Sequence, residues 1–154
     1  MGAIVAFPTM RNVLYSGDNI QKFTATAIVK AGQVVAFADT GLSDSVLKSV
    51  KATTKQPIGV ALYGVGAGES VAVAMDGCIV YVANTDAVTT IDAGDVLEST
   101  TNAVGGCVDA CAVVTTGVKG LLLQKIGIAV DDIAASGTGR MLITAGYFTT
   151  ANDA

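Results

Sequence analysis

Few residues in this chain of 154 could carry out chemistry. Histidine is absent, so the sequence lacks Ser–His–Asp and Cys–His catalysis and the commonest general base. Glycosidase chemistry needs two carboxylates held across a sugar, and the one adjacent pair, Asp131-Asp132, lies in a predicted turn rich in Gly, Ser and Thr. We interpret these two aspartates as solvated turn residues rather than catalytic groups.

The three cysteines are Cys78, Cys107 and Cys111. An odd number without regular spacing is not a disulfide framework. Without histidine, a four-ligand zinc site would need carboxylates or a neighbouring subunit. The simpler interpretation is small apolar residues in a reducing cytosol. Because Cys78 begins the apolar run 78–83, we predict that it is buried and unpaired.

Three glycine-rich stretches resemble ligand loops only superficially. Gly64-Val-Gly-Ala-Gly68 lacks the Gly-Lys-Ser/Thr ending of a phosphate loop and precedes no helical pattern. Asp76-Gly77 and Asp92-Ala-Gly-Asp95 lack the spacing of a calcium loop. We interpret the last two as hairpin turns. The sequence therefore predicts no catalytic, cofactor-binding or metal-binding residue, and we expect no enzyme activity and no cofactor.

Composition narrows the class of protein. Hydrophobic residues make up 51% of the chain and charged residues 14%, well below the usual quarter. This balance excludes simple disorder, yet no apolar run reaches the ~18–20 residues that span a bilayer. The net charge of −4 disfavours direct nucleic-acid binding, which needs clustered Lys and Arg. The excess of Ala and Val predicts many short strands, with apolar surface left for partners.

The strands that would position any site are indicated by a pair of short sequence motifs, each of which occurs twice. Ala31–Val35 is followed by Gln56–Leu62, and Ala93–Leu97 is followed by Gln124–Val130. Each first phrase is a Gly turn that opens into an apolar run, and each second phrase is a β-rich run with an internal Gly. Such turn-then-strand units build antiparallel β structure.

Individual strands can be placed from their patterns. Val46–Ala52 alternates apolar and polar residues, which predicts an edge strand protected by lysines, with a short helix as the alternative. The continuous apolar run Cys78–Ala83 predicts a strand buried on both faces. Met141–Thr144 is predicted as the last strand.

We therefore predict an all-β fold, a compact antiparallel β-sandwich or barrel-like body with an extended N-terminal arm. The expected divisions are an arm over residues 1–20, a β body over 21–145 and a C-terminal tail over 146–154. The start lacks the features of a signal peptide, so we expect a protein made and kept in a cytoplasm until it is assembled. The arm is apolar but aperiodic, so it lies either across its own domain or on a neighbour. Its candidate interface residues are Phe7, Pro8, Met10, Arg11, Val13 and Tyr15.

Taken in order, these phrases resemble the small capsid cement, or head decoration, proteins of tailed double-stranded DNA viruses. The similarity covers most of residues 16–145, and residues 1–15 and 109–120 fall outside it. The runs that carry it are Ser16–Asp18, Ala31–Val35, Ile58–Leu62, Gly68–Gly77, Ala93–Leu97, Ile126–Val130 and Gly139–Ile143.

The resemblance implies a structural virion protein that binds the outer surface of the capsid and stabilises the lattice of the major capsid protein. It implies self-association as a homotrimer, no direct nucleic-acid or membrane partner, and synthesis in the host cytoplasm before assembly onto the virion. It implies no catalytic residue. Two other classes stay open at this point: a small β-domain enzyme or ligand-binding protein, and a cell-surface β module.

Overall fold

The computed structural model describes residues 9–10, 12–38, 44–48, 55–85, 88–99, 108–110 and 122–149. These residues form eleven strands and no helix, so the predicted all-β class is confirmed. None of them forms a helix that could cross a membrane. The strands are β1 (Leu14–Ser16), β2 (Ile20–Ala25), β3 (Val34–Phe37), β4 (Ser45–Lys48), β5 (Pro57–Ala61), β6 (Ser70–Ala74), β7 (Ile79–Ala83), β8 (Val96–Ser99), β9 (Val108–Ala110), β10 (Leu122–Ala129) and β11 (Thr138–Thr149).

The strands form two groups. A closed five-stranded barrel has the order β2-β4-β3-β5-β6, and a six-stranded sheet has the order β1-β7-β11-β10-β8-β9. Among the described strands, all pairings are antiparallel except that of β2 with β4, which run parallel and close the barrel. The barrel-like body expected from the sequence is therefore present in the first half of the chain.

The two groups are copies of one five-stranded unit. We call β2–β6 the first module and β7–β11 the second module. Starting from β4, the first runs β4-β3-β5-β6-β2, and the second runs β9-β8-β10-β11-β7 in the same sense. The register agrees as well, because Val35 pairs with Gly59 in the first module and Leu97 pairs with Gly127 in the second. The phrases repeated in the sequence are thus the same structural element used twice.

Equivalent hydrogen bonds in the two modules show how the local sequence forms the turn that begins each repeated motif. Gly32 N donates to Ala61 O at 2.8 Å, and Gly94 N donates to Ala129 O at 2.8 Å. The φ angles of Gly32 and Gly94 are +85° and +94°, the left-handed region that glycine enters without steric cost. One residue later, a side-chain oxygen of Gln33 or Asp95 accepts from the backbone N–H three residues before it. The Ala-Gly-Gln and Ala-Gly-Asp phrases therefore encode one turn.

The hydrophobic core is divided unequally between the modules. The barrel of the first module encloses its own cluster: Ala25, Val29, Val35, Val46, Ala61, Val71 and Val73. The larger cluster combines the interior of the second module with Val34, Val60 and Ala74 from the outer face of the first. These three side chains are fully buried, and each valine contributes roughly 1.5–3 kcal/mol when buried. The second module therefore completes its core with residues of the first.

The structure corrects several sequence expectations. The predicted edge strand is β4, which has neighbours on both sides, so the edge assignment was wrong. The run 78–83 is not buried on both faces, since Ile79 and Tyr81 are partly exposed. The last strand begins at Thr138 and ends at Thr149, within the expected tail. The expected arm contains β1, which is hydrogen-bonded to β7.

Candidate interaction surface

The predicted interface residues of the arm have different positions. Phe7, Pro8 and Arg11 lie outside the described residues. Val13 is only 3% exposed and belongs to the larger core, so its side chain is packed within its own chain. Met10 is partly buried against the same core.

Part of the arm is thereby held on its own domain. The carbonyl oxygen of Val13 accepts from Tyr81 N at 2.7 Å, and Leu14 pairs with Val80. Of the two alternatives for this stretch, residues 13–16 follow the first and lie across their own domain. Of the predicted interface residues that the structure describes, Tyr15 is the one that is largely exposed, at 56% of its surface.

Tyr15 is part of an ordered polar and aromatic group on the outer face of the second module. Its ring meets the Tyr81 ring edge to face, with centroids 6.2 Å apart and an interplanar angle of 78°. The Arg140 guanidinium lies 4.7 Å from the centroid of the Tyr15 ring, which is cation–π geometry. Three strands, β1, β7 and β11, bring these side chains together. Tyr and Arg held in fixed positions are the types enriched at protein-binding hot spots.

Asp131 fixes the position of Arg140. Its two carboxylate oxygens accept from Arg140 Nε at 2.8 Å and from a terminal guanidinium nitrogen at 2.6 Å, while Arg140 N donates to Oδ2 at 3.1 Å. The hydrogen bonds from the Arg140 side chain, and then from its backbone, lower the pKa of Asp131 from 3.8 to about 2. The same pair raises the pKa of Arg140. Asp131 therefore stays ionised at neutral pH and orients the guanidinium instead of exchanging protons.

Asp132, the residue after Asp131, also accepts a hydrogen bond from the backbone of a turn. Asp132 Oδ1 accepts from Ala93 N at 2.8 Å, across to the turn that contains Gly94. The two adjacent aspartates thus hold separate backbone groups, which agrees with interpreting them as turn residues.

Beside this group a row of aliphatic side chains crosses the outer face of the second module. Val96 pairs with Ile128, Ile128 with Leu142, and Leu142 with Ile79, so the four lie side by side on β8, β10, β11 and β7. All four are partly exposed, whereas their neighbours along the strands, such as Leu97 and Met141, are buried. They belong to neither core cluster. We call Val96, Ile128, Leu142 and Ile79 the outer row.

Sequence reasoning did not single out this face. Arg140, Ile128 and Leu142 were quoted only as parts of longer phrases, and the run 78–83 was expected to be buried throughout. Their partly exposed positions alternate with buried ones along β7, β10 and β11, so tracking period two across neighbouring strands would have indicated the outer row.

Near the junction of the modules lies a groove of about 280 Å³. Its lining comes mainly from the first module, with Ala145 and Gly146 added by the second: Asn19, Gln56, Pro57, Ile58, Met75, Asp76, Ala145 and Gly146. Gln56 Nε2 donates to the carbonyl oxygens of Lys125 and Gly146 at 3.1 and 3.0 Å, so this wall is tied to the second module. The lining is largely apolar and includes one carboxylate, that of Asp76.

The described residues offer little else for chemistry. They contain no group of three or more Cys, Asp or Glu side chains that could hold a metal ion. Cys78 is fully buried and free of a disulfide, as predicted, and its Sγ lies 3.5 Å from Asn19 O. Cys107 and Cys111 lie outside the described residues.

No family model matches the chain, and no curated protein matches it. Among solved structures, the fold is similar to the head fiber gp8.5 N base in bacteriophage phi29. The two chains are 18% identical, the match covers 81% of this chain and 92% of that chain, and the TM-score is 0.55. The similarity extends over most of both chains, so it concerns the two-module architecture and not one module alone.

Proposed function

We propose that this protein is a structural component of a phage virion, one that binds the outer surface of the capsid and stabilises the lattice of the major capsid protein. The observation that carries the proposal is the fold shared with a phage head fiber base across 81% of the chain. The ordered phrases of the sequence, which resemble capsid cement proteins, support the same role independently.

The surface suits such a role physically. The Tyr15–Tyr81–Arg140 group presents preorganised aromatic and cationic side chains on one face of a sheet. A rigid face loses little conformational entropy on binding. Because many copies decorate one shell, each contact can be modest and the array still holds. The role needs no enzyme activity and no cofactor, and we propose none.

The partners in this proposal are the major capsid protein and further copies of this chain, assembled as a homotrimer. The arm residues Phe7, Pro8, Met10 and Arg11 remain proposed contacts with a sister subunit or the shell. Val13 is excluded from that contact by its burial in the core of its own chain.

The test is co-sedimentation of the purified protein with shells that are assembled from the major capsid protein of the same virus and lack this protein. We expect saturable binding, knobs on the shell in negative-stain images, and a higher temperature of shell disruption. A chain lacking residues 1–9 keeps Val13 and β1, so it isolates the contribution of Phe7 and Pro8 to shell binding. Failure of the full chain to co-sediment, with its fold intact by circular dichroism, would refute the proposal.

A further inference from the structure

The internal repeat allows the outer row of the second module to be compared with the equivalent residues of the first module. Each of its members has an equivalent in the first module: Val34, Val60, Ala74 and Ile20, which pair with one another in the same register. Three of these four, Val34, Val60 and Ala74, are fully buried because they pack into the core of the second module. In the first module, therefore, this row of side chains is a binding surface already in use.

Part of the core that covers this row also has an equivalent in the first module. Ile126 and Ile143 belong to the same core cluster as Val34, Val60 and Ala74, and both are fully buried. Their counterparts in the first module are Ile58 and Met75. Those two are only partly buried, and they line the groove at the module junction.

Among the described residues, the outer row is partly exposed on the second module, and the groove lined by Ile58 and Met75 lies on the first. We propose that the outer row of one copy (Val96, Ile128, Leu142 and Ile79) docks in the groove of the next copy (Ile58, Met75 and their neighbours), continuing between chains the contact made within each. A second copy is the occupant favoured by the structure, because the chain carries both surfaces and the equivalents of these surfaces already come together inside the chain.

Such a contact is heterologous, since different surfaces of the two copies meet. Heterologous contacts form a closed ring when the rotation from one copy to the next returns to the first copy. A ring of three copies would then contain six modules in succession. The row presents two isoleucines, a leucine and a valine, where the equivalent row of the first module has only valines, an alanine and an isoleucine. The larger side chains add apolar area, which is what a contact without a covalent linker requires. This inference rests on the self-association in the proposed function and assigns its surface.

The experiment compares oligomeric mass in solution, by light scattering coupled to gel filtration, for the full chain and its variants. We expect the unmodified protein to be an oligomer, and Ile128→Glu and Met75→Glu each to elute as the single chain of 15.4 kDa. The matched control is Ile28→Glu, an identical change at a side chain that is 69% exposed and belongs to neither the row nor the groove. It should keep the oligomer.

Mixing the two variants gives the decisive readout. The Met75→Glu chain keeps an intact row and the Ile128→Glu chain keeps an intact groove, so an equimolar mixture should form dimers and nothing larger. If Ile128→Glu fails to fold by circular dichroism, Ile128→Thr preserves β propensity and replaces it. An unmodified protein that is monomeric, a row variant with full oligomeric mass, or a mixture that stays monomeric would each overturn the proposal.

Capsid binding is scored separately on the same variants. Row variants that are monomeric and still bind shells would support this contact and the proposed function together. An intact oligomer that binds no shell would leave this inference standing and defeat the proposed function.

Discussion

Gly59 and Gly127 occupy the same position in the two modules, and both lie against the backbone of the next strand. A Cβ built on Gly59 would clash with Ala74 O, and one on Gly127 would clash with Leu142 O. Both contacts are with main-chain atoms, which can move only if the strands separate. Glycine at this point of the repeated phrase is therefore a packing requirement.

We expect Gly59→Ala and Gly127→Ala each to lower the free energy of unfolding by about 1–3 kcal/mol, the usual cost of overpacking a core. The matched control is Gly64→Ala, where the nearest atom to the new Cβ is Val29 O at 3.5 Å, an ordinary contact. Urea denaturation measures all three variants. A Gly127→Ala chain as stable as the Gly64→Ala chain would contradict this account of the repeat.

The Asp131–Arg140 pair predicts a pH dependence. The pKa of Asp131 is lowered from 3.8 to about 2 by the hydrogen bonds from Arg140, so its ionised form is favoured in the folded state. The stabilisation is then complete above pH ~4 and is lost as the pH falls toward 2. We expect the stability difference between the unmodified protein and Asp131→Asn to be constant at neutral pH and to shrink across that acidic window.

Arg140→Gln removes the partner and should remove the same acidic dependence. Thermal unfolding at several pH values between 2 and 7 measures both variants. Identical pH profiles for the unmodified chain and Asp131→Asn would show that the pair contributes nothing to folding.

At the scale of elements, hydrogen bonds from a residue of the first module to two strands of the second hold the modules together. Gln56, just before β5, bonds to the main chain of β10 and β11 at once. Gln56→Leu keeps the bulk and leaves the carbonyls of Lys125 and Gly146 without this donor, so we expect a loss of about 1–3 kcal/mol. Gln21→Leu, at an exposed position of β2, is the control and should stay within ~0.5 kcal/mol. Denaturant midpoints compare them, and equal midpoints would contradict the bridging role.

Local sequence patterns predicted much of the strand content, but they did not predict which strands pair when the partners are far apart in the sequence. The Gly turns and period-two runs correctly indicated an all-β fold, and the repeated phrases correspond to equivalent strands of the two modules. The edge assignment of β4 failed because the parallel pairing of β2 with β4 depends on barrel closure, which no local pattern encodes. β7 was expected to be buried throughout, but its composition cannot show that one face of its sheet is left uncovered.

The candidate surface was predicted only in part, for a similar reason. Tyr15 was singled out as an apolar residue of the arm, whereas its contact with Arg140 joins residues 125 positions apart in the chain. Such a contact follows from the order β1-β7-β11, which is a property of the assembled sheet. Val13 was assigned to an interface because its stretch is aperiodic, and a short strand such as β1 gives no period to detect.

At the scale of the whole molecule, the two modules are not equally self-sufficient. The first has a closed barrel with its own core, while the second shares Val34, Val60 and Ala74. We expect a fragment over residues 17–77 to show cooperative unfolding by itself, and a fragment over 78–154 to show none until the first fragment is added. Near-ultraviolet circular dichroism and denaturation curves measure both. Independent cooperative unfolding of the second fragment would contradict the shared core.

The shared core also implies an order in which the two modules fold during synthesis. A chain leaves the ribosome from its N-terminal end at about 5–20 residues per second, and its domains generally fold in that order. The first barrel is complete at Ala74, so it can close while the second half is still being synthesised. Val34, Val60 and Ala74 then form a finished template on which the later strands assemble. The strand β1 can pair only later, because its partner β7 emerges after the first barrel is made. The order along the gene thus becomes the order of assembly, and exchanging the two halves in the gene would keep both modules but make the second emerge before its template.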